Sequence, residues 1–224
     1  SYIDPIETFS TNVMGTANLL NECLKSKAIK CIINVTTDKC YENKEWIWPY
    51  RENEPLGGHD PYSASKACSE LVTNSYRLSF FKSQNIGIAT ARAGNVVGGG
   101  DFAKDRLIPD IIRSIQNQSP FNIRNPKATR PWQHVLEPIC GYLKLAQNLF
   151  EKPMDYSGAY NFGPNEENFI NVETVARLLQ KSLAFQIKHT ADNKYHEAQN
   201  LSLDSSKAKL LLGWNSRWNV EETM

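Results

Sequence analysis

Apolar residues recur at helical spacing from Ile6 through Phe9, Val13, Met14, Ala17, Leu20 and Leu24. That spacing predicts one amphipathic helix running to about Lys27. Asp4-Pro5-Ile6-Glu7 supplies an N-cap, an N1 proline and an N3 glutamate at its start. The period then changes. Lys30 to Val35 (KCIINV) is short, almost wholly apolar and rich in β-branched residues, which predicts a strand buried on both faces of a parallel sheet. Residues 41–60 are polar and aromatic with Gly and Pro, and read as a loop. Asp60-Pro61 opens a second long helix to about Phe81, and Ile86 to Arg92 (IGIATAR) reads as another buried strand.

Beyond Arg92 the pattern becomes irregular. A Gly-rich loop (94–101) precedes a helix near 106–117 with Ile108, Ile111, Ile112 and Ile115 on one face. Phe121 to Arg124 and Gln133 to Leu136 read as short strands, the second leading into a helix over 138–150. Tyr160 to Phe162 is expected as the last sheet strand. Asn171 caps a helix through about Leu183, Gln186 to Thr190 reads as a strand, and Asp204 caps a final helix that Gly213 ends. Helix and strand alternate through the first half, so right-handed crossovers and a doubly wound parallel α/β sheet are expected, with a smaller α+β region. Such a sheet is not expected to open on a helix, so a strand is expected upstream of Ser1.

Composition narrows the partners. Of 224 residues, 41% are hydrophobic and 22% charged, and the net charge is +1, which offers no field for nucleic acid or an anionic membrane. Apolar runs such as Leu210-Leu211-Leu212 fall far short of the roughly 20 residues that span a bilayer. Ser1 to Pro5 carries neither a basic nor an apolar leader segment. Five scattered cysteines without C-x-x-C spacing read as reduced thiols of a cytoplasmic protein. The four histidines are scattered too, so no metal site is expected.

Two constellations carry chemistry. In Tyr62-Ser63-Ala64-Ser65-Lys66 a phenol and an ammonium share one helix face at i and i+4. A nearby ammonium favours phenolate, so Tyr62 is expected to have a lowered pKa and to take a proton from a hydroxyl. Thr37-Asp38-Lys39 stands at the carboxyl end of the first strand, where open parallel sheets bind ligands. Gly98-Gly99-Gly100 formally fits a phosphate-binding glycine pattern. No helix follows at once and no carboxylate lies between Asp110 and Glu137, so it reads as a loop and not as a phosphate cradle. Arg106, Arg124 and Arg130 offer guanidinium forks suited to a pyrophosphate.

Strand end, loop and Asp-Pro-Tyr helix start together resemble the extended short-chain dehydrogenase/reductase family. The nearest likeness is to its sugar-nucleotide 4,6-dehydratases, of the type acting on CDP-glucose. The likeness spans the chain through SYIDPIETFSTNVMGTANLL, TTDKCYEN, PYSASKACSEL, ARAGNVVGGGDF, DRLIPD, RPWQHVLEP, YNFGP and HEAQNLSLDSSKAKLLLGW. It implies a Rossmann-like fold with NAD as cofactor, Tyr62 and Lys66 serving both catalysis and cofactor binding. Residues 1–98 with 133–163 would be the remainder of the NAD-binding domain, its first strands and glycine loop lying upstream. Residues 99–132 with 164–224 would bind substrate.

The resemblance also implies the reaction. Tyr62 takes the 4-hydroxyl proton, Thr37 bonds the 4-oxygen, Asp38 protonates the departing 6-hydroxyl, and hydrogen returns to C6. The product would be CDP-4-keto-6-deoxyglucose, a precursor of deoxysugars in bacterial surface polysaccharide. Dehydratases for dTDP sugars carry Thr-Asp-Glu at this strand end, with glutamate as C5 base. Here Lys39 stands in that place, either as a base with depressed pKa or as a cation for the enolate. Related 4-epimerases carry small hydroxyl residues at the strand end, so Asp38-Lys39 favours elimination over epimerisation. An NDP-sugar 4-epimerase or another NDP-sugar 4,6-dehydratase is the alternative within the family, and a truncated, non-catalytic nucleotide-sugar-binding remnant is the alternative of another class. Asn95, Leu107 and Ile108 would face the nucleotide sugar, and Arg130 matches the family's substrate arginine. His196-Glu197 matches the family pattern without a role. The first helix, with Asn12 and Asn18, reads as structural, and with the Tyr62 helix it is implied to form a homodimer interface.

Overall fold

Asp4 caps the first turn by accepting from Glu7 N at 2.8 Å. The chain then runs through α1 (Pro5–Phe9), a π-turn at Ser10–Met14 and α2 (Gly15–Lys25). The one expected helix is therefore present, broken by a π-turn that periodicity does not signal. Its apolar stripe is only partly covered: Leu20 and Cys23 are buried, whereas Ile6 and Met14 face solvent. The computed structural model describes residues 1–165, 169–189 and 200–224.

β1 (Cys31–Val35) pairs in parallel with β2 (Gly87–Ala93), and α3 (Pro61–Ser79) crosses between them. β2 is buried almost throughout, as its sequence predicts. β1 is only half-buried, contrary to the reading of a strand covered on both faces, because it is the outer strand of the sheet among the described residues. Next come β3 (Val96–Val97), α4 (Leu107–Gln116), β4 (Phe121–Ile123), β5 (Thr129–Pro131) and β6 (Gln133–His134). They lead into α5 (Leu136–Glu151), α6 (Pro153–Tyr156) and β7 (Gly158–Phe162). β7 pairs in parallel with β2, giving the order β1-β2-β7.

The tail holds β8 (Phe169–Asn171), α7 (Val172–Gln180), β9 (Ile187–His189), α8 (Ser206–Leu212) and α9 (Val220–Thr223). β4 pairs with β9, β3 with β6, and β5 with β8. Asn171 caps α7 by accepting from Thr174 N at 2.8 Å, and Gly213 closes α8 at φ 59°.

Two of the apolar clusters among the described residues lie at the sheet and in the smaller region. One packs Ala89, Ala91, Leu145, Leu149, Tyr160 and Phe162 under α5, and takes in Ala208, Leu212 and Trp214 of the tail. The other gathers Ile111, Phe121, Ile123, Trp132, Val175 and Leu179. Each large side chain so buried contributes about 1.5–3 kcal/mol. The expected boundary needs one correction: Ala208 to Trp214 lie on the sheet core, not with the substrate region. Their apolar faces complete the cover of β7 and α5.

Candidate active site

β1 hands its sheet pairing one residue on, Thr36 N donating to Ala91 O at 2.9 Å. Thr37 stays extended, and a 3₁₀ turn over Asp38–Cys40 lifts the chain off the sheet. Thr37 and Asp38 are buried there, while Lys39 is half-exposed. Opposite them, Asp60 caps α3 by accepting from Tyr62 N at 2.9 Å and Ser63 N at 3.2 Å. Ser63 and Ala67 on one side of α3, and Ser65 and Ser69 on another, are buried small residues that let the helix lie close to its neighbours. Asn12 of the first helical rod donates to Ser65 Oγ at 2.9 Å.

These elements wall an open cavity of about 820 Å³. Thr37, Asp38, Lys39, Tyr62, Asn95, Arg106, Leu107, Arg124 and Arg130 all line it, although they come from six separate stretches of chain. One expectation needs correction. Ile108 does not line the cavity; like Leu107 it packs against the second core, but of the two only Leu107 also reaches the cavity wall. Lys66 stands beside the cavity, its Nζ donating to Val35 O at 3.5 Å. His196-Glu197 lies outside the described residues.

The electrostatics of the dyad differ from the expectation. Burial pushes the Tyr62 phenol up from its ordinary value. The Thr37 side chain and the Arg106 charge pull it down, and burial prevails. The cation acting on the phenol is Arg106, because Lys66 turns toward the β1 carbonyl. Lys66 itself is pushed down by burial, with the Glu70 carboxylate opposing.

Asp38 is 1% exposed. Its Oδ1 accepts from Thr37 Oγ1 at 3.1 Å, and its Oδ2 has no partner among the described residues. A buried oxygen left in that state costs about 1–3 kcal/mol, which a bound hydroxyl would recover. Arg106 lies 3.8 Å from Asp101, and Arg124 lies 3.3 Å from Asp105. Such exposed pairs are worth about 0–1 kcal/mol, so a phosphate can replace either acid at small cost. Arg130 is buried and donates to Thr129 O at 2.8 Å. The glycine loop leads into no immediate helix, since α4 starts at Leu107, and Gly99 and Gly100 are exposed.

Sequence reasoning missed Glu70, Arg92 and Gly94. Glu70 and Arg92 form a buried ion pair at 2.7 Å. Gly94 leaves room for Asp38. One signal was available: an arginine ending an otherwise apolar strand needs a buried partner.

The sequence profile of the GDP-mannose 4,6 dehydratase family matches residues 1–224. The chain belongs to that family. It is 51% identical to the CDP-glucose 4,6-dehydratase of Salmonella typhimurium, over 100% of this chain and 64% of that protein. It is 29% identical to a low-salt glycan biosynthesis protein of Haloferax volcanii, over 95% of this chain and 65% of that protein. The chain thus spans slightly less than two thirds of these relatives. Among solved structures, a dTDP-glucose 4,6-dehydratase of Streptomyces venezuelae superposes with TM-score 0.85 at 22% identity, over 100% of this chain and 66% of that one. A UDP-glucuronic acid 4-epimerase of Bacillus cereus superposes with TM-score 0.81 at 21% identity, over 96% of this chain and 65% of that one. The Rossmann-like α/β fold is therefore common to dehydratases and epimerases alike.

Proposed function

We propose that the chain carries the catalytic and substrate-binding part of an NAD-dependent dehydratase that converts CDP-glucose to CDP-4-keto-6-deoxyglucose. The observation that carries this reading is Asp38, a buried carboxyl with an unpartnered oxygen, in the cavity wall that it shares with Thr37 and Tyr62. An enzyme that only oxidises and re-reduces C4 needs no acid there. The 51% identical relative named for CDP-glucose supports the choice of nucleotide.

Tyr62 accepts the 4-hydroxyl proton, and Thr37, in the same cavity wall, orients the 4-oxygen. The resulting 4-ketone acidifies the C5 proton. Lys39, at the same strand end, serves its removal, and Asp38 protonates the departing 6-hydroxyl. Arg106, Arg124 and Arg130 take the pyrophosphate. Lys66 fits a cofactor ribose, because two of its three N–H groups have no acceptor among the described residues and Val35 beside it is exposed. Bound NAD supplies the acceptor of hydrogen from C4 and its later donor to C6.

A second copy of the chain is the expected partner, supported by exposed Leu19 on α2 and exposed Leu71 and Leu78 on α3. Five free thiols support a cytoplasmic setting. No helix among the described residues is long and apolar enough to cross a membrane.

The test is turnover by the complete native protein with CDP-glucose, and with UDP-, dTDP- and GDP-glucose in parallel. The expected product has a 4-ketone and a methyl group at C5. A product that keeps its 6-hydroxyl overturns the dehydratase reading, and preference for another nucleotide overturns the choice of base.

A further inference from the structure

Five side chains beside the cavity, those of Thr36, Tyr41, Glu70, Thr90 and Arg92, form a buried polar cluster. Glu70 lies one helical turn past Lys66 and two past Tyr62, on the buried face of α3, and is 3% exposed. Its Oε1 accepts from Thr36 Oγ1. Its Oε2 accepts from Thr90 Oγ1 at 2.7 Å and from Arg92 Nη2 at 2.7 Å. Arg92 is likewise buried, and its Nη1 donates to Tyr41 Oη at 2.7 Å. Thr36 directly precedes Thr37, which lines the cavity together with Tyr62. One carboxylate therefore ties the helix that carries Tyr62 and Lys66 to the strand end that carries Thr37 and Asp38, and both to β2.

We propose that Glu70, braced by Arg92, is a positioning residue that sets the distance between α3 and the β1 end, and so the Thr37–Tyr62 spacing on which proton transfer depends. A buried ion pair is a poor source of stability, since apolar residues of similar volume often replace one without loss. Geometry at a reacting centre is demanding, and a shift of about 1 Å can cost about 10²-fold in rate. Two further ties join β1 and α3: Asn34 Nδ2 donates to Thr73 Oγ1 at 2.8 Å, further from the cavity, and Lys66 Nζ reaches Val35 O only at 3.5 Å, the outer limit of a hydrogen bond. The Glu70 charge also opposes the loss of the Lys66 proton that burial favours.

The test compares two variants of the complete protein. Glu70→Gln keeps every contact: its oxygen can accept from Thr90 and Arg92, and its amide can donate to the Thr36 hydroxyl. It leaves Arg92 buried without a counter-charge. Glu70→Leu/Arg92→Met removes both charges and severs the tie to Thr36. If Glu70 positions the site, the two orders are opposite. Glu70→Gln melts lower than the double variant yet holds kcat within about threefold of wild type. The double variant melts higher yet loses about tenfold or more in kcat, with KM little changed, as a moderate displacement of the site requires. A crystal structure of the double variant should show the Tyr62 phenol displaced relative to Thr37. Wild-type kcat in the folded double variant, or kcat following melting temperature in both, overturns the proposal.

The inference rests on the proposed dehydratase only for its substrate. If wild type acts on a different nucleotide sugar, that reading falls and the variants are compared on the substrate used. If wild type acts on none, the Thr37–Tyr62 spacing in the two variant structures decides: kept in Glu70→Gln and changed in the double variant under the proposal, alike in both if it is wrong.

Discussion

A Cβ built on Gly94 would stand 3.0 Å from Oδ2 of Asp38 and 2.5 Å from Cγ of Pro131. Gly94 directly follows β2, so the sheet holds its backbone against the acid. Gly94→Ala must displace Asp38 or the Pro131 ring. Misplacing a reacting group by about 1 Å costs up to about 10²-fold. We expect kcat to fall by about 10- to 100-fold, with elimination slowed more than C4 oxidation. Single-turnover measurement of the two steps checks this, and equal slowing of both would place the damage elsewhere.

Tyr62→Phe removes the hydroxyl and keeps the ring. Proton transfer by a positioned side chain contributes about 10²–10⁴-fold, so kcat should drop by that range. Calorimetric affinity for the nucleotide sugar should stay within about threefold, because the arginines are untouched. Lost affinity would mean that Tyr62 shapes the cavity and not the chemistry.

Asp38→Asn keeps shape and cannot donate a carboxyl proton. Water loss from C6 should slow by about 10²–10⁴-fold. C4 oxidation should continue, visible as a persistent near-ultraviolet absorbance of reduced cofactor. A variant that still releases water at the wild-type rate would remove Asp38 from the elimination.

Glu52 carries a prediction about pH. Burial raises its carboxyl above the ordinary value, although its Oε1 accepts from Asn161 N at 2.8 Å. The folded state thus holds the Glu52 proton more tightly than the unfolded state, whose value is about 4.3. This group's contribution is fully present below about pH 4.3 and is lost as pH rises through the folded value. At neutral pH the ionised form bears the penalty. Glu52→Gln keeps an acceptor for Asn161 and should melt at or above the wild-type temperature at pH 7. It should also flatten the fall in stability above about pH 4.3. A lower melting temperature at pH 7 would contradict the sign.

Much of this molecule is legible along the chain where the physics is local. Asp4, Asp60 and Asn171 each cap the helix that their spacing announces. The short pairings were harder to read. Val96 and Val97, inside the expected glycine loop, form a two-residue strand only because Gln133 and His134 lie alongside. Thr129 to Pro131 pairs with a segment some forty residues further on. Two or three residues carry too little periodicity to mark a strand. The capping box of Asn219 and Glu222 was visible in the sequence, but α9 is only four residues long and has no apolar stripe to draw attention to it.

By itself the sequence determined the alternation of helix and strand, the caps, and the residue types at the carboxyl end of β1 and the start of α3. These depend on neighbours within a few positions, through backbone hydrogen bonds and side-chain period. Only the tertiary structure decided that the Tyr62 phenol is raised and not lowered, that Lys66 turns to Val35, that Ile108 leaves the cavity, and that Glu70 meets Arg92. Burial and charge act through space on groups that the chain keeps far apart, and no spacing along the sequence records those distances.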